Sequence, residues 1–284
     1  MNCMSLNLRG AGALLKGEQV RKLKVAHQLN FISCQESQMG DISSIPVANF
    51  WDNTCFEAER VESVGRSGGL FCLWNPKGRV NMVNVYAPND PADRSILWGN
   101  LLALKARIEG IWLFMGDFNE EADLVDFSMS GRKFTRMSDD GTSLSKIDRF
   151  LACMGFVNRW NNAAVTVLPR RYSDHCPVIL ITEFMDYGPR PFRFFNSWLR
   201  MEGVKEIVHN SWSTEVENVY SSKTLIKKFQ KLKSELRKWR DDSRRKEEEE
   251  LQELLRNLDD LEVEAENRPL ATPERLIRTE WRKK

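Results

Sequence analysis

Up to about Phe184, short apolar runs alternate with turn-forming residues, and this pattern restricts the fold more than any other feature. Runs typical of strands are "NFISCQ", "GGLFCLWN", "RVNMVNVYA", "IWLFMGD" and "CPVILIT", separated by Gly, Asn, Asp and Pro. Two other stretches, residues 16–29 and 94–110, repeat apolar residues every three or four positions and predict helices. The mixture predicts an α/β fold.

The sequence changes character after "YGPRPFRF", where two prolines and a glycine interrupt regular structure. Two apolar seams at helical spacing follow, Leu225, Phe229, Leu232, Leu236, Trp239 and then Leu251, Leu254, Leu258, Leu261. Their phases differ, which leaves open two helices or one long helix with a stutter. Thr272 and Pro273 then mark the start of another helix. We expect residues 185–284 to form a helical extension, with residues 222–266 lying on the domain, on a partner or on a second copy.

Composition limits the classes of protein that remain. The 284 residues suffice for one core and an extension, and 42 basic against 40 acidic residues give no overall field toward nucleic acid or membrane. The six cysteines are scattered without CxxC pairs, which favours reduced thiols in an intracellular protein. We also expect neither a signal peptide nor a membrane span, because no long apolar run is present.

Polar residues stand where several predicted strands end. Glu36, Tyr86 and Asp117 each follow an apolar run, and Asn119 lies two positions further on. Each alone has an ordinary interpretation as a solvent-facing strand end or a turn residue. Asp148 is harder to explain in that way, because it lies within an apolar run where an unpaired carboxylate is costly. Strand ends gather along one edge of a sheet, so we expect these side chains to converge on a cleft.

The residue types favour magnesium over zinc. Only three histidines are present, far apart in sequence at His27, His175 and His209, so a multi-histidine zinc site is a poor hypothesis. Carboxylates suit a hard cation such as Mg²⁺, which takes oxygen ligands and keeps exchangeable waters. If Glu36 holds the ion, the ion can polarise a phosphoryl oxygen and stabilise a leaving oxyanion.

The remaining polar residues fit roles around such an ion. Asp117 would position and deprotonate the attacking water, with Asn119 hydrogen-bonding nearby. His175 would act opposite as an acid or charge stabiliser, provided that a carboxylate fixes its tautomer. Asp148 is the candidate for that orienting carboxylate. The alternative for His175, in "RRYSDHCPVIL", is a structural residue at the start of a strand.

Six motifs in order carry a resemblance to a known family. "SLNLRG", "CQES", "NVYAP", "GDFN", "SKIDRFL" and "SDHCP", which extend over residues 1 to about 182, resemble the endonuclease/exonuclease/phosphatase superfamily. More specifically, the sequence resembles the apurinic-type endonuclease of plant LINE retrotransposons. The resemblance implies a four-layered α/β sandwich of two mixed β-sheets flanked by helices, and Mg²⁺- or Mn²⁺-dependent hydrolysis of DNA phosphodiesters. The helical extension resembles the connector that precedes a reverse transcriptase.

The resemblance also assigns roles to individual residues. It implies a metal site at Glu36 and Asp174, and a phosphate site at Asn7, Asn119 and His175. The residues implied to be catalytic are Asp117, Asn119, His175, Asp148 and Tyr86. Basic residues near these motifs are expected to contact DNA phosphates, although each is equally compatible with an ordinary surface charge; they are Arg132, Lys133, Arg136, Arg170 and Arg171.

Two departures from the family pattern qualify the resemblance. Leu6 stands before Asn7 where relatives have tryptophan, and about thirty residues are missing between Glu121 and Asp126. We therefore divide the chain into a shortened nuclease-like domain, residues 1–184, and the extension. Two alternatives remain: a non-catalytic retroelement remnant or interaction protein, and a phosphoinositide or sphingomyelin phosphoesterase of the same fold. For the favoured interpretation we expect a nuclear location.

Overall fold

The computed structural model describes residues 1–38, 47–52, 54–64, 67–76, 80–118, 124–183, 192, 194, 196–213 and 221–281. The strands are β1 Asn2–Asn7, β2 Leu29–Gln35, β3 Glu57–Val64, β4 Ser67–Trp74, β5 Asn81–Tyr86, β6 Trp112–Asp117, β7 Val125–Asp126, β8 Met129–Gly131, β9 Arg136–Met137, β10 Leu144–Ser145, β11 Asp148–Ala152, β12 Ala164–Val167 and β13 Val178–Ile181. The helices are α1 Leu14–His27, α2 Pro91–Arg107, α3 Met154–Arg159, α4 Val204–Ser213, α5 Ser221–Asn267 and α6 Thr272–Trp281, with short 3-10 helices at Val47–Phe50 and Asn196–Arg200.

Two mixed β-sheets form the core of the first part of the chain, residues 1–183. The large sheet has the order β3-β4-β2-β1-β13-β12-β8, and the small sheet has the order β5-β6-β11-β7. Strand β1 is parallel to β2 but antiparallel to β13, and β6 is parallel to β5 but antiparallel to β11. Strands β9 and β10 form a separate antiparallel pair. The predicted α/β class with mixed sheets is confirmed.

Strand β6 shows how the small sheet is covered on both faces. Its side chains alternate, since successive residues of a strand point to opposite faces. Leu113 and Met115 are buried in the apolar cluster shared with the large sheet. Trp112 and Phe114 point the other way and pack with Trp98 of α2.

Strand β1 divides its side chains in the same manner within the large sheet. Cys3 joins the cluster between the two sheets, whereas Met4 and Leu6 face the cluster that contains Val20 of α1 and Trp51. The layers therefore follow the order α1, large sheet, small sheet, α2. This is the four-layered sandwich that the resemblance implies.

Gly116 is required by the close approach of β5 and β6. Its φ is +144°, and a Cβ atom built there would lie 1.8 Å from the carbonyl oxygen of Val85. Only glycine avoids that overlap. The glycine of the "GDFN" motif therefore allows β6 to run close beside β5 up to Asp117.

The chain divides into two compact units. The first comprises Met1–Met185 together with Leu258–Lys284, and the second is Asp186–Asn257. In the second unit, Leu236 of α5 packs with Trp198 and Val204, and Trp239 packs against this apolar cluster. Helix α5 is continuous, so the two apolar seams belong to one helix, and α6 begins at Thr272 as predicted. No described helix has the length and apolar character needed to cross a bilayer.

The last part of the predicted extension packs with the strands of the first unit. Ala265 of α5 and Leu270 are buried against Met137 of β9, and Leu144 of β10 is partly buried beside them. The boundary at residue 184 remains a prediction. So does the deletion after Glu121, because residues 119–123 lie outside the described part of the chain.

Candidate active site

The candidate active site lies where the two sheets present neighbouring strand ends. Strands β1, β5 and β6 end at Asn7, Tyr86 and Asp117, and Glu36 follows β2 directly. Strand β11 is antiparallel to β6, so its first residue, Asp148, pairs in register with Asp117. The topology thus brings together residues separated by more than one hundred positions in sequence.

Glu36 is held by three hydrogen bonds. Its Oε1 accepts from Nδ2 of Asn7 at 2.8 Å and from the hydroxyl of Tyr86 at 3.0 Å, and its Oε2 accepts from Nε2 of Gln38 at 3.2 Å. Its φ of +49° is in the left-handed region, which is uncommon outside glycine and found at functional sites. Burial would raise the pKa of Glu36, but the three hydrogen bonds outweigh it and lower the pKa. Glu36 is therefore an anion at neutral pH.

Asn7 joins the two halves of the site. The same Nδ2 that bonds Glu36 also donates to Oδ2 of Asp117 at 3.1 Å. The backbone carbonyl of Asn7 accepts a hydrogen bond from Ser173 Oγ at 2.7 Å, and this hydroxyl accepts from the backbone N–H of His175 at 3.1 Å. Asn7 is fully buried. The position of Asn7 therefore couples the Glu36 side of the site to the His175 side.

His175 and Asp148 form a buried pair. His175 Nδ1 donates to the Asp148 carboxylate, with distances of 3.0 Å to Oδ1 and 2.8 Å to Oδ2. Asp148 is fixed in turn because its backbone N–H donates to Thr135 Oγ1 at 3.0 Å. Burial would lower the pKa of His175, but the negative charge of Asp148 outweighs it and raises the pKa to about 9. At neutral pH His175 is thus a cation whose Nε2 points away from Asp148.

Asp117 faces that nitrogen across a short gap. Its Oδ2 lies 3.8 Å from His175 Nε2, which is too long for a direct hydrogen bond. Burial, and next the charge of Asp148, raise the pKa of Asp117 to about 6. A carboxylate with that pKa is ionised at neutral pH and is a stronger base than an ordinary aspartate. Asp117 and His175 together provide a base and an acid beside one another.

Two sets of side chains could hold a divalent metal. The ligand atoms of Asp117, Asp148 and His175 lie within 4.8 Å of one another. Both oxygens of Asp148 are occupied by His175, so this group acts better as an acid and base pair with its orienting carboxylate. The other set is Glu36 and Asp174, which the resemblance implies.

Asp174 has one carboxylate oxygen that could accept a cation. The carboxylate is buried, and its Oδ2 contacts Arg9 NH1 at 2.9 Å and Arg136 Nε at 3.2 Å. Its Oδ1 has no hydrogen-bond partner within the part of the chain that the structure describes. A buried carboxylate oxygen without a partner, and an anionic Glu36 ringed by donors, are the hard oxygen ligands that Mg²⁺ accepts.

The basic residues expected to contact DNA fall into three groups. Arg136 contacts the Asp174 carboxylate within the site. Arg132 and Arg170 are buried, and they are paired with Asp259 and Glu262 of α5 rather than turned to solvent. In this arrangement they are not placed to reach a phosphate. Lys133 is exposed and Arg171 is half-buried. Asn119 lies outside the described residues.

Three residues in the site were not singled out from the sequence. Arg9, Gln38 and Thr135 contact Asp174, Glu36 and Asp148 respectively. Arg9 lies two positions after Asn7 within the motif "SLNLRG", and this proximity to a candidate site residue could have identified it. Thr135 has no such signal, because it reaches Asp148 only through tertiary packing.

Comparisons with known proteins place the fold. No family model and no curated protein sequence matches the chain. The similar solved structures include the 3′ phosphatase NExo from Neisseria bound to a product DNA hairpin and the 3′-5′ exonuclease NExo from Neisseria meningitidis. Each has a TM-score of 0.50 and 17% identity, and each match covers 65% of this chain and 100% of the other.

A third structure, the endonuclease domain of the telomere-specific non-LTR retrotransposon TRAS1, has a TM-score of 0.44 and 10% identity, and the match covers 65% of this chain and 99% of that one. The likeness to the two NExo structures, at 17% identity, establishes a shared fold. The fold that the resemblance implies is thereby confirmed.

Proposed function

We propose that this chain is a Mg²⁺-dependent DNA endonuclease of the LINE retroelement type. The observation that carries the proposal is the bridge made by Asn7, whose amide bonds both Glu36 and Asp117. This bridge supports the proposal because it links Glu36, the proposed metal ligand, to Asp117, the proposed base that faces His175. Hydrolysis of a phosphodiester needs a metal ion, a base and an acid, because the attacking water must lose a proton and the negative charge on the phosphate and the leaving oxygen must be stabilised.

In the proposed reaction Asp117 takes a proton from a water molecule. The water oxygen forms a bond to phosphorus while one ester P–O bond breaks and its electron pair stays on the leaving oxygen. His175, protonated and held by Asp148, stabilises the charge on the phosphoryl oxygens through Nε2. Tyr86 has a raised pKa because of burial and the neighbouring Glu36 charge, so its hydroxyl keeps its proton and can donate to a phosphate oxygen.

Glu36 and Asp174 would hold Mg²⁺, which supplies Lewis-acid stabilisation of the leaving oxyanion when it is bound. Mn²⁺ satisfies the same oxygen ligands. Lys133 and Arg171 would neutralise DNA phosphates outside the site. Asn119, two positions after Asp117 in the family motif, would contact the same phosphate.

The retroelement assignment rests on the sequence motifs. It implies a nuclear location, where the DNA substrate is, and a reverse transcriptase after the helical extension in an intact element. Residues 222–266 would then serve as the connector and as a surface for self-association. The shortening after Glu121 would remove part of the cleft wall and a helix that covers the core, while Glu36, Asp117 and His175 are kept.

The test is a substrate comparison with the purified full chain. Supercoiled plasmid, an inositol polyphosphate and sphingomyelin vesicles are each incubated with Mg²⁺ or with EDTA, and Glu36→Ala prepared in parallel controls for contaminating enzymes. We expect plasmid nicking that requires both Mg²⁺ and Glu36. Release of phosphate from the inositol compound with intact plasmid would reject the endonuclease, and no reaction on any substrate would favour a non-catalytic remnant.

A further inference from the structure

The C-terminal residues 258–281 pack beside the candidate site, on the strand pair β9–β10. Ala265 and Leu270 bury their side chains against Met137, which is fully buried. Met137 is the neighbour of Arg136, whose guanidinium contacts Asp174. The apolar contact therefore lies directly behind a residue that holds the Asp174 carboxylate.

A buried ion network fixes this segment. Glu262 accepts from Arg170 Nε at 3.0 Å through one oxygen and from Arg278 NH2 at 3.3 Å through the other, and the three side chains are at most 2% exposed. Desolvating such groups costs about as much as their attraction returns, so the network adds little net stability. The network instead fixes the positions of its members, because the guanidinium groups of Arg170 and Arg278 each bond a different oxygen of the Glu262 carboxylate.

Arg278 reaches from this network toward the site. Its NH1 donates to the backbone carbonyl of Asp139 at 2.9 Å. The Asp139 side chain accepts from Arg9 NH1 at 3.3 Å, and the same nitrogen lies 2.9 Å from Oδ2 of Asp174. A continuous series of polar contacts thus runs from α6 to the candidate metal ligand.

A second connection passes through β9. The backbone N–H of Met137 donates to the carbonyl oxygen of Asp174 at 3.0 Å, and Arg136 Nε donates to its side chain at 3.2 Å. Asp174 is therefore held by Arg9 on one side and by β9 on the other. Both supports rest on the C-terminal helical segment.

We propose that Arg278 is a positioning residue for Asp174, and that residues 258–281 are a working part of the nuclease unit rather than only a connector. This rests on the proposed function in one respect, the assignment of Asp174 as a metal ligand. Arg170, expected from the sequence to contact DNA, belongs instead to this supporting network.

The first test uses hydrogen exchange in the full chain without metal. Arg278→Ala is compared with Leu276→Ala, a control on the same helix whose side chain is 68% exposed. We expect faster exchange in Arg278→Ala for peptides covering residues 134–139 and 172–176, and wild-type exchange in the control. Unchanged exchange in Arg278→Ala would overturn the proposal.

The second test separates positioning from general support. We expect Arg278→Ala to raise the calorimetric dissociation constant for Mg²⁺ by about tenfold, the usual effect of losing a residue that orients a ligand. Arg278→Lys should give an intermediate value, because Arg278 bonds the Asp139 carbonyl and Glu262 through two separate nitrogens, whereas lysine keeps the charge but has one nitrogen to span them. Leu276→Ala should bind Mg²⁺ as the wild type does.

Faster exchange with an unchanged Mg²⁺ dissociation constant would reduce Arg278 to a structural residue and overturn the proposal, as would absence of Mg²⁺ binding by the wild type. Failure of the proposed function can be distinguished from failure of the positioning role. If the wild type binds Mg²⁺ and Arg278→Ala weakens that binding, yet plasmid stays intact, the endonuclease assignment fails while the positioning role stands.

Discussion

Replacing Asp148 with Asn removes the charge that holds His175 in its protonated form. The side chains are nearly isosteric, and the backbone N–H of residue 148 can still donate to Thr135. Folding raises the pKa of His175 from 6.5 to about 9, which corresponds to about 3 kcal/mol of stabilisation of the folded state. Because the pKa is raised on folding, this stabilisation is fully present below pH 6.5 and is lost as the pH rises through about 9.

The assay is urea unfolding of wild type and Asp148→Asn without metal, at about pH 6 and about pH 10, with the His175 ring followed by NMR. We expect the destabilisation by Asp148→Asn to be about 3 kcal/mol larger at the lower pH. Asp126→Asn is the matched control, since it removes one carboxylate from the neighbouring strand β7 without touching His175. A destabilisation that does not change with pH, or a wild-type His175 that titrates near 6.5, would refute the reasoning.

Three further predictions concern activity and stability. Plasmid nicking should follow a bell-shaped pH profile, rising through about pH 6 as Asp117 loses its proton and falling through about pH 9 as His175 loses its own; a flat profile over that range would contradict the acid and base roles. Gly116→Ala should destabilise the fold by about 4 kcal/mol, because its Cβ would overlap a backbone oxygen, and calorimetry should show a Tm lower by about 10 °C. Arg170→Ala should cost about 3 kcal/mol of stability by breaking a buried ion network, and should leave DNA affinity unchanged. Lys133→Ala should leave stability unchanged and reduce the slope of log affinity for DNA against log salt concentration by about one. The reverse pattern would place Arg170 on the DNA.

The strand ends could be predicted from the sequence because their signal is local. An apolar run followed by Glu36 or Asp117 marks both the strand and the edge at which it ends. Asp148 could also be singled out, since a carboxylate inside an apolar run needs a partner. The motif order then identified the fold, including its four layers.

The surroundings of those residues could not be read from the sequence, because they depend on contacts between distant segments. From the sequence, Arg132 and Arg170 resemble residues of a phosphate-binding patch. Tertiary packing instead pairs them with Asp259 and Glu262 of α5, which lie about ninety or more positions later in the chain. Thr135 supports Asp148 only because β9 and β11 begin side by side in space. The two arginines on Asp174 likewise come from separate parts of the chain.

In the proposed mechanism Glu36 and His175, on opposite sides of the Asn7 bridge, serve one phosphodiesterase site. The most direct measurement is the Mg²⁺-dependent rate of plasmid nicking by wild type, Glu36→Ala, His175→Ala and the double variant. One shared site predicts that each single change lowers the rate by about a thousandfold or more, and that the double variant is scarcely slower than the worse single variant. Nicking at the wild-type rate by either single variant would contradict the account.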